Sequence, residues 1–309
     1  MLLPYLVLFL LHIRFGFASC AHGTVLHPRK AAAPDNSTVE LPDFDYGPDR
    51  GPTNWHALSP KNILCGTGRS QSPINLDKSK SSSVLPLRPR HIKMDIPNQD
   101  VLFENLGVNV EVVLKGHSLV GKRKFNIKQF HFHTPSEHLI QGKYYPAEVH
   151  LVHVAEDNPT ELLVIAIMLE MDKRELNAPF DKLMSHIEHI SRPGQTTTIR
   201  DFDMSYVVRT INKTSTLSYK GSLTTPPCTE GVTFLTLTKP IPIGFDGFHK
   251  LKDVVGFNAR FLQSHIPAKH NVLVSGVEHL GMGVVICPAK NTTTQHSALS
   301  RPKALLLPH

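Results

Sequence analysis

Apolar and polar positions alternate through much of the middle of this chain. Such alternation predicts half-buried strands, because successive side chains of a strand point to opposite faces. Short alternating segments run from Val101 to Asn105, Val108 to Leu114 and Phe125 to His133. Glu161 to Leu169 differs: its run LLVIAIML is apolar throughout and bounded by charge, predicting a central strand covered on both faces. From Asn177 to Ile190 the period changes, and Phe180, Leu183, Ile187 and Ile190 fall on one side of an amphipathic helix. His186 and His189, near its end and separated by Glu188, read as surface residues. Val232 to Leu237 is another strand, and Ile241-Pro-Ile-Gly leads into a last helical stretch near Phe248 to Phe257. A glycine-rich turn at Cys65-Gly-Thr-Gly precedes a short strand after Gln71. Ser218 to Cys228, polar and stopped by Pro226 and Pro227, reads by itself as a loop.

Chemistry concentrates between Gln129 and Val154. On the segment Phe125 to His133, alternation puts Phe125, Ile127, Gln129, His131 and His133 on one face, so two imidazoles project side by side. Pro135, Gly142 and Pro146 punctuate a connection that turns the chain back, and on the returning strand Glu148, His150, Val152 and Val154 share a face. If the two strands are neighbours, three imidazoles converge. Three histidines without a thiolate suit zinc in its catalytic mode, with a fourth position open to water. Gln129 and Glu148 each stand two residues before a histidine on the same face, where they can hold the other ring nitrogen.

The chain has 309 residues, 40% of them hydrophobic, enough for one large core. Residues 1–18, apolar around LPYLVLFLL and followed by small residues, read as a secretory signal peptide too short to span a bilayer. Residues 19–43 have linker composition, residues 44–286 form the folded domain, and residues 287–309 have the composition of a disordered tail. No other stretch approaches transmembrane length, and a secreted protein of the extracellular space or cell wall is expected. Asn36, Asn212 and Asn291 head glycan-acceptor triplets, and four cysteines suggest disulfides in an oxidising compartment. The formal charge of +7 is dispersed rather than gathered into an aromatic-laced stripe, which argues against a nucleic-acid partner.

QSPINL at Gln71, QFHFH at Gln129, SEH at Ser136, AEVHLVH at Ala147 and GSLTTPP at Gly221 together resemble the α-class carbonic anhydrases, most closely the secreted fungal and plant forms. The resemblance spans roughly Phe44 to Leu262. It implies a mostly β single domain, with a large, twisted, mainly antiparallel central sheet and a few short helices. It also implies reversible hydration of carbon dioxide to bicarbonate and a proton by attack of a zinc-bound hydroxide. Carried over residue by residue, His131, His133 and His150 become the zinc ligands, with Gln129 and Glu148 orienting two of them. Glu137 is implied to accept the hydroxyl hydrogen of Thr224, and Thr225 to contact bicarbonate. Val152, Val164, Leu223 and Val232 are implied to form the apolar wall for carbon dioxide, with Phe234 extending it. Sulfonamide and anion inhibitors are expected. Cys65 and Cys228 match a disulfide of secreted members, leaving Cys20 and Cys287 unassigned.

One departure stands out. Where fast members carry a proton-relaying histidine, this chain has Val108, so slow proton export is expected; His117 is a candidate substitute at the rim, and Glu111 falls where relay water is often ordered. Two other readings stay open on residues alone. His131, His133 and Glu137 satisfy half of a cupin motif for iron or manganese, although Tyr144 stands where that motif wants glycine. A non-catalytic storage or adhesion protein on the same scaffold is the other.

Overall fold

The computed structural model describes residues 39–77, 84–172, 180–263 and Leu273. The expected signal peptide, most of the linker, the tail, Cys20, Cys287, Asn36 and Asn291 lie outside the described residues. The strands are β1 Asn75–Leu76, β2 Leu85–Leu87, β3 Ile92–Asp95, β4 Gln99–Asn105, β5 Val110–Val113, β6 His117–Val120, β7 Arg123–His133, β8 Leu139–Ile140, β9 Ala147–Ala155, β10 Leu162–Asp172, β11 Thr196–Phe202, β12 Thr216–Ser222, β13 Glu230–Leu237 and β14 Ile241–Gly244. The helices are α1 Trp55–Leu58, α2 Leu64–Thr67, α3 Asp181–Met184, α4 Ser205–Lys213 and α5 Phe245–Val255. Among them no helix is long and apolar enough to cross a membrane.

A 12-stranded sheet runs in the order β11-β4-β5-β7-β9-β10-β13-β12-β2, with β3, β6 and β14 attached beside it. Only β10 with β13 and with β14 pair in parallel within it; the other ladders are antiparallel. The apolar run Leu162 to Leu169 is fully buried in β10, hydrogen-bonded on both edges. Leu163, Ile165, Ile167 and Leu169 join the main core, while Leu162, Val164 and Ala166 join a second cluster on the opposite face. Coverage on both faces is what its unbroken apolar pattern requires.

The pattern misled at four places. β7 does not alternate throughout: Ile127 pairs with His153 but Gln129 with Val152, so Lys128 is an extra, unpaired residue. Phe125 and Ile127 therefore pack into the main core beside Phe130 and Phe132, and only Gln129, His131 and His133 take the opposite face. The expected helix to Ile190 buries Phe180, Leu183, Ile187 and Ile190 as its period demands, yet it breaks into α3 and a 3₁₀ turn over Ile187–Ile190. The Lys182 carbonyl, which the next helical turn would need, is taken by Ser185 Oγ at 2.7 Å and His186 Nδ1 at 2.8 Å. Finally, the polar run from Ser218 begins as strand, in β12, before turning into a loop, and Ile241–Gly244 is strand β14 rather than a helix entry, with α5 starting at Phe245.

Two long-range ties matter for the site. The Cys65–Cys228 disulfide forms, closing 163 residues of chain, and sits in a small buried cluster with Phe44 and Trp55. On α4, the Asn212 side chain clamps β3: Oδ1 accepts from Met94 N at 2.7 Å and Nδ2 donates to Met94 O at 3.1 Å. The nitrogen that a glycan would occupy on Asn212 is thus engaged in the fold.

Candidate active site

His131 on β7 and His150 on β9 are direct cross-strand partners, and His133 stands opposite Glu148. Directly opposed residues of an antiparallel pair share a face, so the ladder brings the three imidazoles together. One ring nitrogen from each lies within 4.8 Å of the others, and all three residues are buried.

Every imidazole is held by its other nitrogen. His131 Nδ1 donates to Gln129 Oε1 at 2.8 Å, His133 Nδ1 to the backbone carbonyl of Asn258 at 2.9 Å, and His150 Nε2 to Glu148 Oε1 at 2.7 Å. These bonds set the tautomers and leave Nε2 of His131, Nε2 of His133 and Nδ1 of His150 as lone pairs turned toward one another. The two Nε2 atoms are buried and have no hydrogen-bond partner. Native interiors rarely leave such groups unsatisfied, and a shared cation satisfies all three. The donor set, three neutral imidazoles without thiolate or carboxylate, fits zinc with an open position. The second convergent group, His138, Glu148 and His150, is different in kind: its members hydrogen-bond one another.

Electrostatics agree with neutral rings at two positions. Burial, followed by the neighbouring imidazoles, holds His131 well below the usual histidine range. Burial also lowers His133, against the opposing pull of Glu137. At His150 burial is outweighed by the charge and hydrogen bond of Glu148, and the balance is upward. Glu148, despite burial, is held well below the carboxylate range by His138 and His150. Its Oε2 also accepts from Glu137 N and His138 N, each at 2.8 Å.

The other expected residues divide. Val152, Val164, Leu223, Val232 and Phe234 belong to one buried cluster. Its row Val152, Val164, Phe234 runs across β9, β10 and β13, in register with Gln129 of β7 and one step from His131 and His150, so an apolar wall adjoins the histidines. Thr224 and Thr225 are buried just past the end of β12. The bond expected between Glu137 and the Thr224 hydroxyl is not made: Glu137 Oε1 accepts from Arg260 N at 2.9 Å, and Oε2 has no hydrogen-bond partner. That oxygen instead points at the imidazoles, 3.4 Å from His133 Nε2 and 3.9 Å from His150 Nδ1.

Position 108 lies beside the site, since Asn258, whose carbonyl holds His133, also donates from Nδ2 to the Val108 carbonyl at 3.1 Å. His117 does not: it pairs with Asn126, at the far end of β7, roughly 15 Å from His131 at the usual strand rise. It cannot substitute at the rim. Three residues escaped the sequence reading. Asn258 holds His133 through its backbone carbonyl, while its side chain accepts from Thr134 N and donates to the Val108 and Phe132 carbonyls. His138 bridges Glu148 to Tyr219 Oη at 2.5 Å, and Tyr219 meets Ser72 Oγ at 2.7 Å. Arg260, fully buried over Trp55, reaches Gln71 Oε1 and the Ser72 and Cys65 carbonyls; burial pulls its guanidinium down to about 10.

A model of the eukaryotic-type carbonic anhydrase family matches residues 50–271. The chain belongs to the carbonic anhydrases. A carbonic anhydrase of Neisseria gonorrhoeae is 33% identical over 238 residues, 76% of this chain and 83% of that protein. The fungal α-carbonic anhydrase of Aspergillus oryzae superposes with a TM-score of 0.71 at 32% identity, covering 76% of this chain and 98% of its own. That of Thermovibrio ammonificans, solved with the inhibitor sulfanilamide, gives 0.64 at 30%, covering 72% and 95%. Dioscorin DB3L of Dioscorea polystachya is also a relative, 29% identical over 72% of this chain and 82% of its own. The cupin alternative falls with this family membership and with the large sheet. As a carbonic anhydrase the protein is a lyase, and family and fold support hydration of carbon dioxide. The α-class is zinc-dependent, in keeping with the histidine group.

Proposed function

We propose that this carbonic anhydrase is a secreted zinc enzyme that interconverts carbon dioxide and bicarbonate, with proton export as its slow step. The observation that carries the reading is the pair of orphaned, buried Nε2 atoms on His131 and His133, converging with His150 Nδ1. Zinc held there supplies a water of pKa about 7 as nucleophile and polarises the oxygen on which charge develops. The chain's own residues do the rest. Val152, Val164, Leu223 and Val232 receive an uncharged linear substrate and exclude ordered water. Thr224 and Thr225 would contact the bicarbonate, and Glu137 would accept from the Thr224 hydroxyl and so aim its lone pair. Val108 cannot carry a proton, and neither His117 nor another side chain assigned above takes its place at the rim. Export then falls to solvent and buffer.

Secretion rests on the apolar leader at residues 1–18 and on the Cys65–Cys228 disulfide, since such bonds persist in oxidising compartments. Asn36 and Asn291 are the glycan positions of this reading. The test is stopped-flow hydration of carbon dioxide by the secreted protein, with a metal count and a sulfonamide titration. One zinc per chain and sulfonamide-sensitive hydration are expected. A zinc-loaded chain with no hydration above background would refute catalysis and leave the non-catalytic storage or adhesion reading.

A further inference from the structure

Two residues of the site depend on a segment that no ladder holds. Residues 256–263 belong to no helix or strand. Asn258 fixes one end of this segment on the tip of β7: its carbonyl holds His133 Nδ1 at 2.9 Å, and its side chain accepts from Thr134 N at 2.7 Å. Two residues on, Arg260 N donates to Glu137 Oε1 at 2.9 Å. Glu137 Oε2 has no hydrogen-bond partner, which leaves that amide to orient the carboxylate. The side chain of the same residue fixes the amide in turn. Buried over the ring of Trp55, the Arg260 guanidinium donates from Nη1 to Gln71 Oε1 at 3.0 Å and to the Ser72 carbonyl at 2.7 Å, and from Nη2 to the Cys65 carbonyl at 3.2 Å. Gln71 carries the tie further, donating from Nε2 to the Cys228 carbonyl at 3.0 Å. One planar fork thus engages the chain at both cysteines of the disulfide.

We propose that Arg260 is a positioning residue for hydration: its guanidinium anchors the irregular segment to the disulfide cluster, and its backbone amide thereby holds Glu137 in place beside the histidines. This rests on the functional reading above. Burying a cation is costly, and the three oxygens it meets are neutral, so no ion pair at those contacts offsets the cost. What the guanidinium adds over a neutral side chain is rigidity, because its donors are fixed in one plane and several directions at once. A group displaced by about 1 Å from its working position can slow a reaction by up to about a hundredfold. Loss of the fork is therefore felt at Glu137, although the guanidinium itself bonds to none of the site's residues named above.

The test is stopped-flow hydration of carbon dioxide by the zinc-loaded parent and by Arg260→Met, which keeps the reach of the side chain and removes the fork, each with and without Glu137→Gln. In the reading above proton export limits kcat in weak buffer, whereas kcat/KM reports only the steps up to bicarbonate release. Arg260→Met should lower kcat/KM at least fivefold and kcat in weak buffer by a smaller factor. Where Glu137 is already glutamine, the further loss in kcat/KM should stay under twofold, since residues that act through one another are not additive. A merely structural role would lower kcat and kcat/KM together, and equally in both backgrounds. A fall in kcat/KM of less than fivefold, equal falls in kcat and kcat/KM, or a further loss of twofold or more beside Glu137→Gln overturns the proposal. If Arg260→Met fails to fold, Arg260→Lys, which keeps the charge but not the fork, is held to the same criteria. A parent without zinc-dependent hydration sinks the functional reading instead, and that measurement separates the two failures.

Discussion

Glu148→Gln tests whether the hydrogen bonds around the histidines, and not their mere proximity, prepare them for a cation. Four donors converge on this carboxylate: Glu137 N and His138 N on Oε2 at 2.8 Å, His138 Nδ1 and His150 Nε2 on Oε1 at 2.7 Å. Glutamine must put an NH₂ at one of the two oxygens. At Oε2 it meets two backbone donors that cannot change, leaving buried amides unsatisfied at about 1–3 kcal/mol each. At Oε1 it meets two imidazoles that can. There His150 Nε2 must accept, its proton moves to Nδ1, and the nitrogen facing His131 and His133 loses its lone pair. His138 shifts likewise, and its Nε2 can donate to Tyr219, which in turn donates to Ser72. The second arrangement is the cheaper, so the fold survives while the site is closed to metal. Reversing the tautomer should weaken zinc binding about 10–100-fold, the usual effect of removing a ligand's partner. Competition with a chromophoric chelator gives the affinity, and circular dichroism the fold. A folded variant binding zinc within twofold of the parent would refute the reasoning.

Val108→His should speed turnover several-fold in weak buffer and abolish acceleration by imidazole; a variant no faster than the parent in stopped-flow hydration counts against slow proton export. Asn212→Ala strips two hydrogen bonds from the Met94 backbone and should cost about 1–3 kcal/mol in urea unfolding, whereas Thr214→Ala, which removes the glycan triplet but keeps the clamp, should change neither stability nor the mass of the secreted protein. His153, buried between Ser118 Oγ and the Leu151 carbonyl, is pulled down by burial to about 4. The unfolded chain binds this proton below about pH 6.5 and the folded one only near 4, so stability falls as pH drops through that window, by roughly 2–3 kcal/mol at pH 4.5. His153→Asn should flatten the urea midpoint between pH 7.5 and 4.5 relative to the parent, and parallel profiles would contradict this.

What could be read from sequence was what side-chain type announces. H-x-H on a strand and a third histidine on the returning one gave the triad, because alternation on β9 is regular and the β7 segment past Lys128 is too. Phe125 and Ile127 were assigned to the wrong face because a bulge changes geometry without changing residue type. The helix to Ile190 kept its buried positions but not its continuity, since Ser185 and His186 compete for a carbonyl that periodicity does not see. Asn258 left no signal because it holds His133 through backbone, 125 residues away. The expected Glu137–Thr224 bond came from the resemblance alone, with no local pattern behind it, and the carboxylate leans toward the imidazoles instead.

The extra residue at Lys128 has a consequence for how such a protein can change. Upstream of it β7 lends phenylalanine and isoleucine to the interior; downstream it lends glutamine and histidine to the other side. Deleting Lys128 itself would remove the bulge and leave Ile127 and Gln129 on the faces they hold now, because His153 and Val152 opposite them are already adjacent. A deletion at Phe130 or Phe132 has no spare residue to absorb it and would split Gln129, His131 and His133 between the two faces.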